Sequence, residues 1–240
     1  ISVKRQFSTG DWLKLVRDKI LRCRKNKKIP IIVGGTGLYF NAITKGISKI
    51  PYVDNKTRSR VRRLFKKLGH KKFYEKLLII DPKIKNKILP TDSQRLQRAF
   101  EVIEKTKKSI TEWTLNTKSD FRNYDIKKIF IEIPRDELLK KINIRTELMF
   151  KNQCVNEVKK FNQLKINKSL SANKLIGVRE INDYLRGSVS LEKCKEHINI
   201  KTRQYAKRQN TWARGHMSKW NKLYSKDLSV LLKKVLKVVS

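Results

Sequence analysis

The sequence predicts an α/β protein whose parallel-sheet core is interrupted by an all-helical insertion. Residues 8–40 show the order helix, buried strand, glycine-rich turn and helix, which is typical of doubly wound α/β sheets. Residues 51–117 carry helical patterns, and residues 127–133 return to an apolar, β-branched run. We therefore assign residues 1–50 and 118–240 to the core with its C-terminal helices, and residues 51–117 to the insertion.

The charge of the chain favours a polyanionic partner. Its 240 residues carry a net charge of +38, from 59 Lys and Arg against 21 Asp and Glu, which exceeds what solubility needs. Because lysine is frequent throughout the chain, clustered arginines indicate a binding surface better than total charge does. Hydrophobic residues make up 39% of the chain, which is enough for a substantial core.

Cysteine and histidine spacing favours neither a disulfide framework nor a metal site. Three cysteines and three histidines are scattered along the chain, and this predicts a reducing, cytoplasmic location. No apolar run approaches the roughly 20 residues of a membrane span, so we expect no membrane partner. The chain starts at Ile1 close to an apparent helix, and we expect the true N-terminus to lie upstream.

The first elements lead to a candidate ligand turn. Ser8 and Asp11 have capping-box spacing and predict a helix that runs to about residue 26. The apolar run Ile29–Val33 suits a buried parallel strand. The glycines that follow, 34 and 35, allow a tight turn and close backbone approach by a ligand.

Thr36 offers a hydroxyl at this turn, at the carboxyl end of the predicted strand, where such folds bind ligands. No Walker A pattern follows. A tight connection without a ligand is the alternative.

Within the insertion, four helices are expected. Asp54 predicts the start of a basic helix that ends at Gly69, and a second helix stops before Pro82. A third begins near Asp92, and Ser109 opens a fourth through a capping box.

Three arginines of the insertion are candidates for RNA contacts. Arg95 and Arg98 share one helix face, and Arg58 lies on an earlier helix. The alternative is surface ion pairing, for which Asp92 and Glu101 are near enough in sequence.

After the insertion, residues 127–133 predict a strand that ends at Pro134, with Asp136 capping a long helix over residues 137–164. Arg145 lies on that helix next to apolar residues. A partly buried arginine favours bidentate phosphate binding, and a side chain that snorkels to solvent is the alternative.

Residues 173–180 open the next helix, which ends at Gly187, and Ser190 starts a helix that leads into residues 201–215. That stretch has two faces at helical spacing. Arg203, Lys207 and Arg214 occupy one face as a row suited to a phosphate backbone, with a solvated basic face as the alternative. The mostly apolar face contains Ile198, Thr202, Tyr205, Ala206, Gln209, Trp212 and Ala213.

Gly215 is expected to end this helix in a left-handed conformation. The amphipathic tail, residues 227–239, is expected to pack on the body of the protein through Leu228, Leu231, Leu232, Val235 and Val239.

Several of these motifs together resemble the tRNA dimethylallyltransferases, the IPP transferase family. The matching segments are IIVGGTGLYF at 31–40, DSQRLQRAFE at 92–101, INIRTELM around Arg145, IGVRE at 176–180 and TRQYAKRQNTWARG at 202–215. They follow the family's order and cover about residues 7–225.

The resemblance implies a P-loop-kinase-like parallel-sheet core with a helical insertion. It also implies transfer of a dimethylallyl group from its diphosphate, with Mg²⁺, to the exocyclic N6 amine of the adenosine 3′-adjacent to the tRNA anticodon. The implied partners are the tRNA anticodon stem-loop and dimethylallyl diphosphate, and we expect a monomer.

Carried over residue by residue, the resemblance places Thr36 near the flipped adenosine and Arg145 toward the diphosphate, as the catalytic residues of this chain. The remaining residues are expected to bind substrate. They are Arg58, Gln94, Arg95, Arg98, Lys174, Gly177, Arg179, Arg203, Lys207, Arg208, Gln209, Trp212 and Arg214.

The sequence also departs from the family pattern. The first strand, a GPTASGKT-type P-loop and an aspartate thought to act as general base are not in this sequence, so we expect a fragment. Val178 replaces the usual tyrosine of Gly-Tyr-Arg, and Lys141 replaces an arginine. A non-catalytic RNA-binding protein and a relative of P-loop small-molecule kinases are the alternatives.

Overall fold

The computed structural model describes residues 1–167 and 170–239 and has an α/β architecture. The chain divides into two compact units: the first comprises Ile1–Leu38 with Asp125–Ser240, and the second comprises Tyr39–Tyr124. The predicted insertion limits, 51–117, stay a prediction. In chain order the elements are α1 (Thr9–Lys25), α2 (Gly37–Thr44), α3 (Asn55–Ile80), α4 (Ser93–Thr106), α5 (Ile110–Leu115), β1 (Ile129–Ile131), α6 (Arg135–Lys151), α7 (Cys154–Gln163), α8 (Val178–Leu185), α9 (Leu191–His216), β2 (Asn221–Leu223) and α10 (Leu228–Val239).

The sheet of the described residues has two parallel strands. Ile129 of β1 lies opposite Asn221 of β2, and Ile131 lies opposite Leu223. The strand predicted over residues 127–133 is therefore confirmed at its centre, where three residues find a partner.

The strand predicted over Ile29–Val33 is wrong. These residues have no strand pairing in the described chain, and Ile29, Ile31 and Val33 are 81%, 83% and 90% exposed. A β-strand requires backbone hydrogen bonds to a neighbour. Apolar, β-branched composition does not supply that neighbour, so the run does not join the sheet.

Side-chain caps begin α1, α3 and α5 where the sequence predicted them. Ser8 and Asp11 form a full capping box on α1, and Ser109 forms one with Glu112 on α5. Asp54 accepts a hydrogen bond from the backbone N–H of Thr57 at 2.8 Å. These caps satisfy N–H groups that have no partner within the helix.

The second unit is built around α3 and α4. Gly69 interrupts α3 with φ 69° and ψ −176°, which confirms the predicted break between two helices. Such a positive φ suits glycine because it has no Cβ. The core between the two helices contains Val61, Phe73, Leu77, Ile84, Ile88, Leu96, Ala99 and Phe100.

The long helix predicted over residues 137–164 is two helices in the structure. α6 ends at Lys151 and α7 begins at Cys154, because Gln153 takes φ 65° and cannot continue the helix. Pro134 is the residue before α6, so Asp136 lies in the first helical turn and is not the cap.

In the first unit, the core of the C-terminal helices joins α7, α8 and α9. It contains Cys154, Val158, Ile181, Cys194 and Ile198, all buried. The predicted start near residue 173 is a short 3-10 helix, Ser171–Lys174, and α8 itself starts after Gly177, which takes φ 105°. This core leaves α9 fixed along its inner face.

Two predictions for the C-terminal part are wrong. Gly215 lies inside the last turn of α9, which ends at His216 and is capped by Met217. Leu228 and Leu232 of α10 are 78% and 57% exposed, and no described residue of α10 is buried. The apolar residues of α10 do lie at helical spacing, but only some of them, such as Leu231 and Val235, are even partly buried.

Candidate functional site

The glycine turn and α9 meet in the first unit. The Nε2 of Gln209 donates a hydrogen bond to the carbonyl oxygen of Gly35 at 2.8 Å. Gly37 lies against the indole of Trp212 so closely that a Cβ at position 37 would overlap the ring. The glycines are needed here because side chains of α9 approach the turn backbone directly.

Thr36 stands between these two contact points and is exposed. The structure therefore brings together three of the predicted site residues, Thr36, Gln209 and Trp212. The hydroxyl of Thr36 is accessible to a ligand, while the backbone on each side of it is fixed by α9.

His216 extends this cluster and was missed by sequence reasoning. Its ring stacks on Trp212 with centroids 4.3 Å apart and the planes 1° from parallel. Its Nδ1 lies 2.9 Å from the carbonyl oxygen of Trp212. Because a carbonyl oxygen can only accept a hydrogen bond, Nδ1 is the ring nitrogen that donates in this contact. The spacing of four residues between two rings on a helix was the available signal.

The predicted cation row of α9 is exposed. Its residues Arg203, Lys207 and Arg214 all face solvent, and so does Arg208, which lies outside the row. Among the described residues, none of them forms an ion pair, so their charges are available to an anion. Tyr205, expected on the inner face, is 41% exposed and lies with its ring 6.0 Å from the Arg208 guanidinium. That part of the prediction is wrong.

A buried carboxylate connects α8 to α9. Glu180 accepts a hydrogen bond from the backbone N–H of Gly177 at 2.7 Å and another from Lys201. Burial raises the pKa of Glu180, but these hydrogen bonds outweigh burial and hold it below its ordinary value. Lys174 and Arg179, on either side of Gly177, are exposed. The network thus fixes the turn that carries them.

Arg145 is exposed on α6, so the prediction of a partly buried arginine is wrong. It lines an open cavity of about 300 Å³ with Leu148, Met149, Asn152, Cys154 and Glu157. The buried residues of α6 are Ile142 and Thr146, and Arg145 lies at the edge of that face, exposed beside the partly buried Met149. Its guanidinium is free to meet a solvated ligand.

The second unit holds the other predicted site residues, and most of its arginines are ion-paired. Arg95 lies 3.4 Å from Asp92, and both Arg98 and Arg58 approach Glu101, at 3.3 and 3.9 Å. The ion-pairing alternative from the sequence is therefore confirmed for these contacts. Gln94 is exposed on α4.

The described residues contain no cluster of three potential His, Cys, Asp or Glu metal ligands. Burial raises the pKa of the Cys194 thiol to about 11, and that of Cys154 is also raised by burial, so neither thiol is a nucleophile at neutral pH. Among the described helices, none is long and apolar enough to cross a membrane.

Comparison with known proteins gives one family. The family model of IPP transferase matches residues 1–216. A tRNA dimethylallyltransferase of Pelagibacter ubique is 48% identical over 237 residues, which cover 99% of this chain and 76% of that protein. A tRNA dimethylallyltransferase of Wolbachia from Drosophila simulans is 39% identical over 214 residues, 88% of this chain and 72% of that protein.

A solved structure has the same fold. The tRNA delta(2)-isopentenylpyrophosphate transferase of Staphylococcus epidermidis has a TM-score of 0.63 and 28% identity, and the match covers 100% of this chain and 78% of that one. The likeness extends over both units of the chain.

Proposed function

The chain belongs to the IPP transferase family, and on that premise we propose that it transfers a dimethylallyl group to tRNA. The acceptor is the exocyclic N6 amine of the adenosine 3′-adjacent to the anticodon, and the donor is dimethylallyl diphosphate. The observation that carries the proposal is the contact of the Gly34–Gly37 turn with α9 through Gln209 and Trp212. It joins two family motifs into one exposed site.

The reaction forms a bond between N6 and the allylic carbon and breaks the bond from that carbon to the diphosphate oxygen. N6 gives up one proton, for which the proposed site residues of this chain supply no carboxylate. The leaving diphosphate needs cations to stabilise its charge. We propose that Arg145 supplies one of them, because its guanidinium is exposed beside an open cavity.

The adenine must leave its stack to react, and an unpaired anticodon loop makes that less costly. We propose that Thr36 contacts the extruded adenosine through its exposed hydroxyl. The cation row of α9 binds the phosphates of the same RNA: Arg203, Lys207 and Arg214 lie on one face of the helix and form no ion pairs among the described residues.

We propose Mg²⁺ as the ion that accompanies the diphosphate. Magnesium is commonly held by substrate phosphates and water with only one or two carboxylates. The described residues of this chain offer no cluster of three potential ligands, so the diphosphate and water would supply most of the ligands of this ion. A monomeric state and a cytoplasmic location stay predictions.

The test is a prenyl-transfer assay with labelled dimethylallyl diphosphate, Mg²⁺ and an anticodon stem-loop. Two proteins are compared: this chain, and a chimaera that adds the part of the Pelagibacter relative outside the match. A stem-loop with purine riboside at the target position lacks the amine and is the control. We expect the chimaera to transfer the label to the adenosine stem-loop and not to the purine riboside control, and we expect no transfer by this chain alone. RNA binding by both proteins without transfer in either would contradict the proposal and favour a binding function.

A further inference from the structure

Tyr52 is an exposed aromatic residue in the second unit. Its side chain is 69% exposed, whereas the next residue, Val53, is fully buried at 0%. Pro51 precedes it and restricts the backbone. The chain on both sides of Tyr52 is therefore fixed, and the ring is held at the surface at little cost in conformational entropy.

A cation lies over this ring. The guanidinium carbon of Arg58 is 5.6 Å from the centroid of Tyr52, within the range of a cation–π contact. Only 23% of the Arg58 side chain is exposed, and its Nε is buried without a hydrogen-bond partner among the described atoms. Arg58 is thus packed against the ring and is less accessible than an ordinary surface arginine.

Arg58 also forms an ion pair with a buried carboxylate. Its Nε is 3.9 Å from Oε2 of Glu101, whose side chain is 8% exposed. Arg98 donates to the same oxygen at 3.3 Å. Two arginines thus share Glu101, and one of them lies over Tyr52, so the orientation of the exposed ring is set from the core outward.

The helix that follows Tyr52 supplies positive charge. Exposed cations that form no ion pair among the described residues lie on α3: Lys56, Arg62, Arg63, Lys66 and Lys67. A basic surface with a rigid exposed aromatic ring is the combination that proteins use for single-stranded nucleic acids, where phosphates meet the cations and a base stacks on the ring.

We propose that Tyr52 is a stacking platform for one unpaired nucleobase of the bound RNA, oriented by Arg58 and Glu101. This inference rests on the proposed function, because it requires that the chain binds an RNA with an unpaired loop. It assigns to the second unit a contact with a base, in addition to contacts with phosphates. Stacking on an aromatic ring tolerates any base, so the contact supplies affinity without selecting a sequence.

The test compares Tyr52→Ala with Tyr52→Phe in binding of an anticodon stem-loop and of a fully paired duplex of equal length. Loss of one stacking contact weakens stem-loop binding by roughly 5- to 150-fold. Tyr52→Phe keeps the ring and should retain wild-type affinity. The duplex, which has no free base, should bind equally to all three proteins.

Salt dependence separates stacking from charge. Tyr52→Ala removes no cation, so its fold-loss should be the same between about 50 and 200 mM salt. Ile79→Ala is the matched control: Ile79 is 82% exposed in the same unit, and its truncation should leave binding unchanged.

Equal losses on stem-loop and duplex, or a loss shared by Tyr52→Phe, would overturn the inference. If the wild type binds the stem-loop and Tyr52→Ala binds it equally well, the inference is overturned, but the proposed function is not. Failure of the wild type to bind the stem-loop would overturn the proposed function, and this inference with it.

Discussion

Gln209 donates its side-chain amide hydrogen to the carbonyl oxygen of Gly35 at 2.8 Å, across 174 residues of sequence. The contact means that the turn carrying Thr36 does not hold its shape alone. A helix whose other face carries the cation row also fixes that turn, so the proposed binding of RNA phosphates and the proposed presentation of the Thr36 hydroxyl depend on one element.

Replacing Gln209 by leucine tests this dependence. Gln209→Leu keeps the side-chain volume but loses the hydrogen bond, so the free energy of unfolding should fall by about 1 kcal/mol. Prenyl transfer should fall as well, because the turn is less firmly held. Gln204→Leu, an exposed position on the same helix, is the control and should change neither urea unfolding nor transfer. Equal effects of both substitutions would assign the loss to helix surface chemistry.

Gly37→Ala should be more damaging. Its Cβ would overlap the indole of Trp212, which is rigid and stacked on His216, so ring and backbone must both shift. Overpacking of this kind costs about 1–3 kcal/mol, measured by urea unfolding.

Gly215→Ala is the matched control for Gly37→Ala. It lies in α9 with no atom within 4 Å of the added Cβ, and it should be neutral or stabilising by up to about 1 kcal/mol. A destabilised Gly215→Ala would mean that the last turn of α9 is not helical in solution.

Thr36→Val should lower kcat/KM for prenyl transfer roughly tenfold by removing one hydrogen bond to the acceptor. Because Thr36 is exposed, the stability of the protein should change by no more than about 0.5 kcal/mol. Thr36→Ser restores the hydroxyl and should recover most of the activity. A Thr36→Ser variant as poor as Thr36→Val would show that the methyl group matters and the hydroxyl does not.

Asp54 predicts a specific acid sensitivity of the second unit. The hydrogen bond from the backbone N–H of Thr57 is the main cause that holds the pKa of Asp54 at about 2, below its ordinary value of 3.8. A lowered folded-state pKa contributes stability that is complete above about pH 4 and is lost as the pH falls toward 2.

Asp54→Asn keeps a capping side chain but removes the charge. The stability difference between wild type and variant, measured by urea unfolding across pH 2–7, should therefore shrink below about pH 4. Lys105→Met removes only the ion pair with Asp54, which lowers the pKa of Asp54 less than the Thr57 hydrogen bond does. It should therefore change the stability between pH 2 and 4 less than Asp54→Asn does. A difference that does not depend on pH would contradict this assignment.

Local signals in the sequence were sufficient for most helix starts, but not for those of α6 and α8. Ser8, Asp54 and Ser109 cap their helices as predicted, because a cap depends on residues three positions apart. For the candidate site, the sequence names Thr36, Gln209 and Trp212 individually as candidates. Their mutual contacts were not predictable, since nothing local to residues 34–37 specifies which distant helix packs there.

The errors share one physical cause. Ile29–Val33 has strand composition without a strand partner, and Gln153 interrupts a continuous helical pattern by adopting φ 65°. Both outcomes depend on what the segment meets in three dimensions. Arg145 was expected to be partly buried because its neighbours in sequence are apolar, but it is exposed. Residues that are adjacent in the sequence of a helix point in different directions, so they need not share the same burial.

The cation row of α9 should behave as a set of phosphate contacts. Lys207→Gln removes one exposed charge that forms no ion pair in the described part of the chain. The slope of log K against log salt for stem-loop binding should become shallower by about 0.7–0.9, and affinity should fall by the same factor for stem-loops of different sequence.

Lys193→Gln makes the same charge change near the start of α9 and is the control. It lies at the opposite end of the helix from the Thr36 turn and should leave the slope unaltered. If both variants changed the slope equally, the +38 charge of the chain would act as a diffuse field, and α9 would have no special part in docking the RNA. A change confined to Lys207 would instead localise the phosphate backbone beside the turn that carries Thr36.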